Sequence, residues 1–231
     1  MINQFRPIAI LTGILLLISG CELYYVPPHL QTPTHEKKGD IAANFQGLYT
    51  YSGSASYAVT NSIFIGGSFM GYTNGNDSTE NDYFRTSTVE GGYYYFDTTN
   101  NFHLEVMGGF GVGQAGDANG FEVDFNRFFI QPGIAFLHKD RIVENHLNFR
   151  FSNIGYGRQI TNQVNPFNVA FFEPSYTLRL GSPNIKFHMQ LGFSVPVSSS
   201  SVRPIDFAFD PLIIGFGLNA KLNAFGKVNG K

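Results

Sequence analysis

Apolar and polar residues alternate with a period of two along most of the chain, and this excludes more folds than any other feature. Between Ile185 and Val195, the residues Ile185, Phe187, Met189, Leu191, Phe193 and Val195 alternate with Lys186, His188, Gln190, Gly192 and Ser194. Phe102, Leu104, Val106, Gly108 and Phe110 alternate with His103, Glu105, Met107 and Gly109, and Leu147, Phe149 and Phe151 with His146, Asn148, Arg150 and Ser152. Successive side chains of a strand point to opposite faces, so each such segment has one oily and one polar face. No window carries the 3.6-residue period of an amphipathic helix. Ten strands are expected, near 40–49, 54–59, 62–72, 83–96, 101–112, 122–137, 142–153, 168–181, 185–195 and 205–222. The first two are short, and without them eight remain.

The connections between these strands fall into two classes. Thr60-Asn61, Asp97 to Asn100, His138 to Arg141 and Ser182-Pro183-Asn184 read as tight turns rich in turn-forming residues. They alternate with longer connections at 73–82, 113–121, 154–167 and 196–204, the first hairpin at 50–53 being the exception. A soluble sandwich gives no reason for such segregation, whereas an outer-membrane barrel has short periplasmic turns and long external loops. The expected fold is all-β: a single antiparallel up-and-down transmembrane barrel over 40–222, with 223–231 as a C-terminal tail. An even strand number returns both barrel ends to the side of the short turns.

Composition agrees. Charged residues are only 14% of the 231 and aromatics 16%, with 24 Phe, 12 Tyr and no Trp. The formal net charge of −2, without a basic block, removes the electrostatic case for nucleic acid. A single Cys excludes an intrachain disulfide framework and a Cys-based zinc site.

That Cys has a telling position. Arg6 precedes a short apolar run, Ile8 to Ile18, which is below the ~20 residues a membrane-spanning helix needs. It has the layout of an export signal over residues 1–20. Ile18-Ser19-Gly20-Cys21 resembles the bacterial lipobox, which implies cleavage before Cys21 and lipid, including palmitate-type acyl chains, on that residue. Several buried acyl chains at ~0.8 kcal/mol per CH₂ would anchor the chain stably. Residues 21–39, with Pro27, Pro28 and Pro33, read as a solvated tether reaching the inner leaflet from the periplasmic side. His29 and His35 lie on it and are a weak metal signal.

The faces opposite the Phe, Leu and Ile rows carry charges of both signs: Glu90, Glu105, Arg127, Glu144, Arg150, Glu173, Arg179, Lys186 and Lys221. Inside a narrow barrel, cations and carboxylates on neighbouring strands would pair, since unpaired burial is costly. Tyr72 and Tyr83 beside a long loop, and Tyr93, Tyr94 and Tyr95 near a short turn, suit the two membrane interfaces. The pairs Gly66-Gly67, Gly91-Gly92 and Gly108-Gly109 are expected to relieve crowding in a strongly curved wall. The parity switch near Asp210-Pro211-Leu212 predicts a bulge.

The lipobox, the Pro-containing tether and the segments Tyr57-Ala58-Val59-Thr60-Asn61 and Arg127-Phe128-Phe129-Ile130-Gln131-Pro132 are similar to those of an uncharacterised group of Gram-negative outer-membrane β-barrel lipoproteins. The resemblance covers nearly the whole mature chain and implies location and fold, not an activity. Barrels of that type commonly end on an aromatic residue, whereas this chain continues for six residues beyond Phe225.

Candidate chemistry is sparse. Gly111-Val112-Gly113-Gln114-Ala115-Gly116 matches a dinucleotide fingerprint but leads into no helix, so no helix N-terminus receives a phosphate. The acidic segment Asn74 to Asp82 lacks EF-hand spacing and reads as a hydrated loop. His103, His146 and His188 share the polar parity and, with Glu105, Glu144 or Ser152, supply the residue types of a nucleophile–base–carboxylate set. The leading expectation is a lipid-anchored, non-enzymatic, monomeric barrel with a structural or binding role through its external loops. It needs no cofactor or metal, and its partners are outer-membrane lipid and the assembly and lipoprotein-sorting machinery. The alternatives are a narrow pore, a lipid-modifying hydrolase or acyltransferase, and a soluble lipoprotein barrel holding an apolar ligand.

Overall fold

The computed structural model describes residues 23–48, 50–74, 82–116, 122–138, 141–157, 166–199, 208–209 and 211–223. These form thirteen strands and no helix: β1 (Leu23–Tyr25), β2 (Asp40–Gly47), β3 (Thr50–Ala58), β4 (Ile63–Asn74), β5 (Asp82–Asp97), β6 (Phe102–Gly116), β7 (Glu122–Leu137), β8 (Val143–Tyr156), β9 (Phe167–Gly181), β10 (Ile185–Phe193), β11 (Val195–Ser199), β12 (Ala208–Phe209) and β13 (Leu212–Asn223). β2 to β10 pair antiparallel in chain order, and β10 also pairs with β13. β13 then pairs with β2, Leu218 opposite Phe45 and Asn223 opposite Asp40, and closes the sheet into a ten-stranded barrel. β11 continues the line of β10 along β9 beyond Ser194. The count is ten rather than eight because β2 and β3 are full members of the wall.

Turns follow β3, β5, β7 and β9 at one end, the turn end, where Asp40 and Asn223 also lie. Asp97 shapes one of them by accepting hydrogen bonds from the backbone N–H groups of Thr99 (2.8 Å) and Asn100 (3.1 Å). Connections after β4, β6, β8 and β11 lie at the other, loop end. The acidic loop between Asn74 and Asp82, the signal segment with Cys21 and the tail beyond Asn223 fall outside the described residues.

The parity reading holds on the wall. Ile65, Val106, Phe128, Ile130, Phe149, Phe151, Phe187, Leu191 and Leu218 are exposed on the outer face, Leu191 at 59%. This belt stops toward the loop end at outward-facing polar residues, among them Arg85, Asp124, Asn126, Asn153 and Asn168. There Arg85 donates to Gln114 (3.0 Å from Nε), and the Gln114 amide donates to Asp124 (2.9 Å) across three strands.

Several sequence expectations are corrected. The first hairpin does not turn at 50–53: β2 ends at Gly47, β3 begins at Thr50, and Tyr51 to Ser54 belong to β3. β6 runs through Gly116, so the Gly111 to Gly116 fingerprint is strand rather than loop. The last wall strand begins at Leu212 rather than near 205, and Ala208–Phe209 pairs in parallel with β1; Asp210, at the expected bulge, lies outside the described residues. Tyr93 and Tyr95 point outward as expected, but Tyr94 is buried and donates to the Thr60 carbonyl (2.8 Å). Not all Phe face outward either, since Phe64, Phe84, Phe125, Phe167 and Phe171 are buried inside.

The largest correction concerns the tether. Residues 25–35 are not solvated but buried within the barrel. A ring of ten strands encloses more space than its inward side chains fill, and this segment takes up the remainder. Pro27, Pro28 and Pro33 keep it extended and unable to join the wall as an eleventh strand.

Candidate functional site

The functional region is the lumen and the segment that occupies it. Seen along the segment, the wall partners descend steadily from the loop end to the turn end. Tyr25 stacks on Phe171 (ring centroids 4.5 Å apart) and meets Phe84 edge-on (6.0 Å). With Val26, Phe125, Ile154, Tyr156, Phe167 and Val169 they form an apolar cluster near the loop ends of β5 and β7 to β9.

Below it is a charged layer. Arg150 and Glu173 are directly opposed on β8 and β9, and Arg150 Nε lies 2.6 Å from Glu173 Oε2. Glu173 also accepts from Tyr25 (2.7 Å), Ser152 (2.8 Å) and Ser194 (3.2 Å), and Arg150 donates to the Pro28 carbonyl (2.6 Å). The carboxylate is thus fully partnered at 0% exposure, which offsets the desolvation that an isolated buried charge would suffer. Arg127 donates to Thr88 (3.1 Å), and its guanidinium lies 5.2 Å from the centre of the Phe129 ring. That ring lies against Gly109 on the neighbouring strand, where a Cβ would come within 2.5 Å of it.

Between the two charged layers the segment bonds mostly to uncharged side chains. His29 contacts Ser52 (2.9 Å) and the Ile214 carbonyl (3.1 Å). A Cβ at Gly215 would approach the same imidazole to 2.5 Å, so the wall there is pared to backbone. Leu30 is held as a strand partner would be: its N–H donates to the Gln190 side chain, which donates back to the Leu30 carbonyl, both at 3.0 Å. Gln31 accepts from Ser54 (2.5 Å), and its carbonyl accepts from Gln131 (2.6 Å).

A second charged layer follows. Glu144 and Arg179 are register partners on β8 and β9. Glu144 lies 3.8 Å from Arg179, 3.4 Å from Lys186 and 3.4 Å from His146. Arg179 also donates to the Thr32 carbonyl (2.5 Å), the Thr32 hydroxyl and the Thr34 hydroxyl (3.1 Å). At the turn end Glu36 pairs with Arg141 (2.6 Å) and Lys221, and Asp40 accepts from the backbone N–H groups of Glu36 (2.9 Å) and Lys37 (3.2 Å). The Lys38 N–H reaches Asn61 in the turn after β3 (2.9 Å).

Every charged residue read from the sequence as lumenal is buried, apart from a partly exposed Lys221. They do not form one network. Two cross-strand pairs, Arg150–Glu173 and Glu144–Arg179, organise two layers. Among the described residues Glu90 contacts Ser68 (3.4 Å) and Glu105 lies 3.9 Å from His103, neither reaching a Lys or Arg within 4.0 Å. The three candidate histidines are dispersed: His103 contacts the His35 carbonyl (2.9 Å), His146 faces Glu144, and His188 contacts Gln46 (2.8 Å). The Ser152 hydroxyl is engaged by Glu173 rather than by an imidazole. Among the described residues no group of three or more His, Cys, Asp or Glu is placed to hold a metal ion.

Sequence reasoning missed the segment's own contribution: Tyr25, Pro28, Leu30, Gln31, Thr32 and Glu36 all bond to the wall. The signal that could have found it was the number of inward polar residues on the wall, such as Ser52, Gln131 and Gln190, each of which bonds to the segment. One small cavity of about 10 Å³ lies beside Gln31 to Pro33, lined also by Ala42, Ser54, Glu90 and Asn219, with room for about one water molecule. No family model matches the chain, and no curated protein matches it.

Proposed function

We propose that this is a lipid-anchored outer-membrane barrel, closed by its own N-terminal segment. It is a non-enzymatic scaffold that holds the connections after β4, β6, β8 and β11 at the cell surface for a structural or binding role. The observation that carries this reading is the distribution of the two faces. An exposed belt of Phe, Ile, Leu and Val surrounds a polar, charge-paired interior, the reverse of a water-soluble barrel with an apolar ligand cavity. A contiguous apolar surface of this extent would drive a protein in water to associate.

The filled lumen separates this reading from the pore alternative. An open pore needs a water column from end to end, and here the segment from Tyr25 to Glu36 bonds to the wall at each level. Among the described residues His103, His146 and His188 contact the His35 carbonyl, Glu144 and Gln46, and the Ser152 hydroxyl is bonded to Glu173, so the set expected for lipid hydrolysis or acyl transfer is not brought together.

Purified protein mixed with detergent-destabilised vesicles and spun on a density gradient is expected to float with the lipid. The same preparation fused into a planar bilayer is expected to pass no current steps across a range of salts. Protein left at the bottom of the gradient would overturn the membrane assignment; floating protein with reproducible conductance would overturn the closed lumen.

A further inference from the structure

The path of the lumen segment fixes which end of the barrel the mature N-terminus leaves by. Lys38 and Glu36 are at the turn end, bonded to Asn61, Arg141 and Lys221. Thr32 is level with Arg179, Leu30 with Gln190, His29 with Ser52, and Tyr25 with Phe84, Phe125 and Phe171 near the loop end. β1 completes the exit. Its backbone pairs with Ala208–Phe209, in the connection that leads from β11 to β13 at the loop end. The chain therefore crosses the barrel once before the first wall strand begins.

We infer that acyl chains on Cys21 enter the leaflet at the loop end, so that the protein is anchored from the cell-surface leaflet and displays its mature N-terminus outside. This rests on the outer-membrane reading above. Cys21 is four residues before Tyr25, a reach of at most ~14 Å at 3.3–3.6 Å per residue. The apolar band of an outer-membrane barrel is ~25 Å tall, so the periplasmic leaflet is out of range. The way back through the lumen is occupied by the segment itself, which bonds to the wall from Tyr25 to Glu36. A periplasmic anchor would require the segment to withdraw from the lumen. That would abandon the hydrogen bonds of Arg150, Arg179, Gln131 and Gln190 to backbone carbonyls and leave each of these buried groups without its partner on the segment. It also follows that the wall closes around the segment during assembly, because a lipidated N-terminus cannot be threaded through a filled barrel afterwards.

The test uses the full chain with three epitope tags, placed singly: after Glu22, within 117–121, and after Lys231. A Gln31→Cys/Ser54→Cys pair is added to each, because the Ser54 hydroxyl lies 2.5 Å from Gln31 in the seated segment. Antibody labelling of intact cells is expected for the first two tags, and only after permeabilisation for the third. Mass spectrometry of the same cells is expected to find the 31–54 disulfide. A disulfide-bearing chain whose N-terminal tag stays hidden while the 117–121 tag is labelled would overturn the inference and leave the outer-membrane reading standing. A membrane-inserted chain without the disulfide is read by its tags alone, and a hidden N-terminal tag beside a labelled 117–121 tag overturns the inference there too. Absence of all three tagged chains from the outer-membrane fraction would instead overturn the reading on which it rests.

Discussion

Glu173→Leu is expected to be among the most destabilising single substitutions in the barrel. It removes the acceptor shared by Arg150, Tyr25, Ser152 and Ser194 and leaves the Arg150 guanidinium, 2% exposed, without its counter-charge. Breaking a buried pair by deleting one partner costs about 3–5 kcal/mol, because the remaining charge is uncompensated. A change of that size removes a large part of the ~5–15 kcal/mol by which ordinary domains are stable. It should appear as a lower urea midpoint of unfolding in vesicles. Glu173→Leu combined with Arg150→Met should recover part of the loss, since two apolar residues of similar volume can substitute for a buried pair. Recovery will be incomplete, because Arg150 also holds the Pro28 carbonyl. A loss below about 1 kcal/mol for the single variant would show that the pair is water-exposed, as surface ion pairs are worth no more than that. The closed lumen would then be wrong.

The second large effect is on the outer face, and its sign decides between solvents. Leu191 is exposed at 59%, with Met189 and Phe193 beside it on its strand and Tyr176 and Ile214 opposite on the neighbouring strands. If this belt meets lipid, Leu191→Arg will destabilise the inserted barrel by about 2–4 kcal/mol, the cost of Arg near a bilayer midplane. Asn153→Arg, in the polar rim, should cost about 0–1 kcal/mol, as expected near an interface. In a water-soluble barrel the order would reverse: Leu191→Arg would remove an exposed apolar side chain and raise solubility. Refolding yield into vesicles, compared for the two variants, reads the difference directly.

Much of the wall was legible because a half-buried strand has to alternate. β7 was read at 122–137 and is found at Glu122–Leu137, and Glu144, Arg150, Glu173 and Arg179 all have the inward parity that their polarity demands. The misplaced first hairpin shows where local propensity misleads. Ser52-Gly53-Ser54 resembles a turn, but Ser52 and Ser54 bond to His29 and Gln31 of the lumen segment, and Gly53 lies under the Phe69 ring. Tertiary partners outweighed turn chemistry. The lumen segment itself was illegible for a related reason. Taken alone, Val26 to Glu36 has too little apolar surface to predict burial. Its burial depends on donors and acceptors contributed by β3, β7, β8, β9, β10 and β13, and no window of sequence displays those together. The inward aromatics were obscured likewise: Phe84, Phe125 and Phe171 look like any other strand Phe until Tyr25 arrives to complete their cluster.

The most direct measurement of the central proposal is quenching by nitroxide-labelled lipid. A small fluorophore is attached to a cysteine introduced at Leu191, Phe149 or Thr99, in a chain with Cys21→Ser, and the protein is folded into vesicles carrying the nitroxide deep in the acyl chains. A lipid-embedded belt gives strong quenching at 191 and 149, on the outer faces of β10 and β8, and little at 99, in an exposed turn. Equal and weak quenching at all three positions would contradict it.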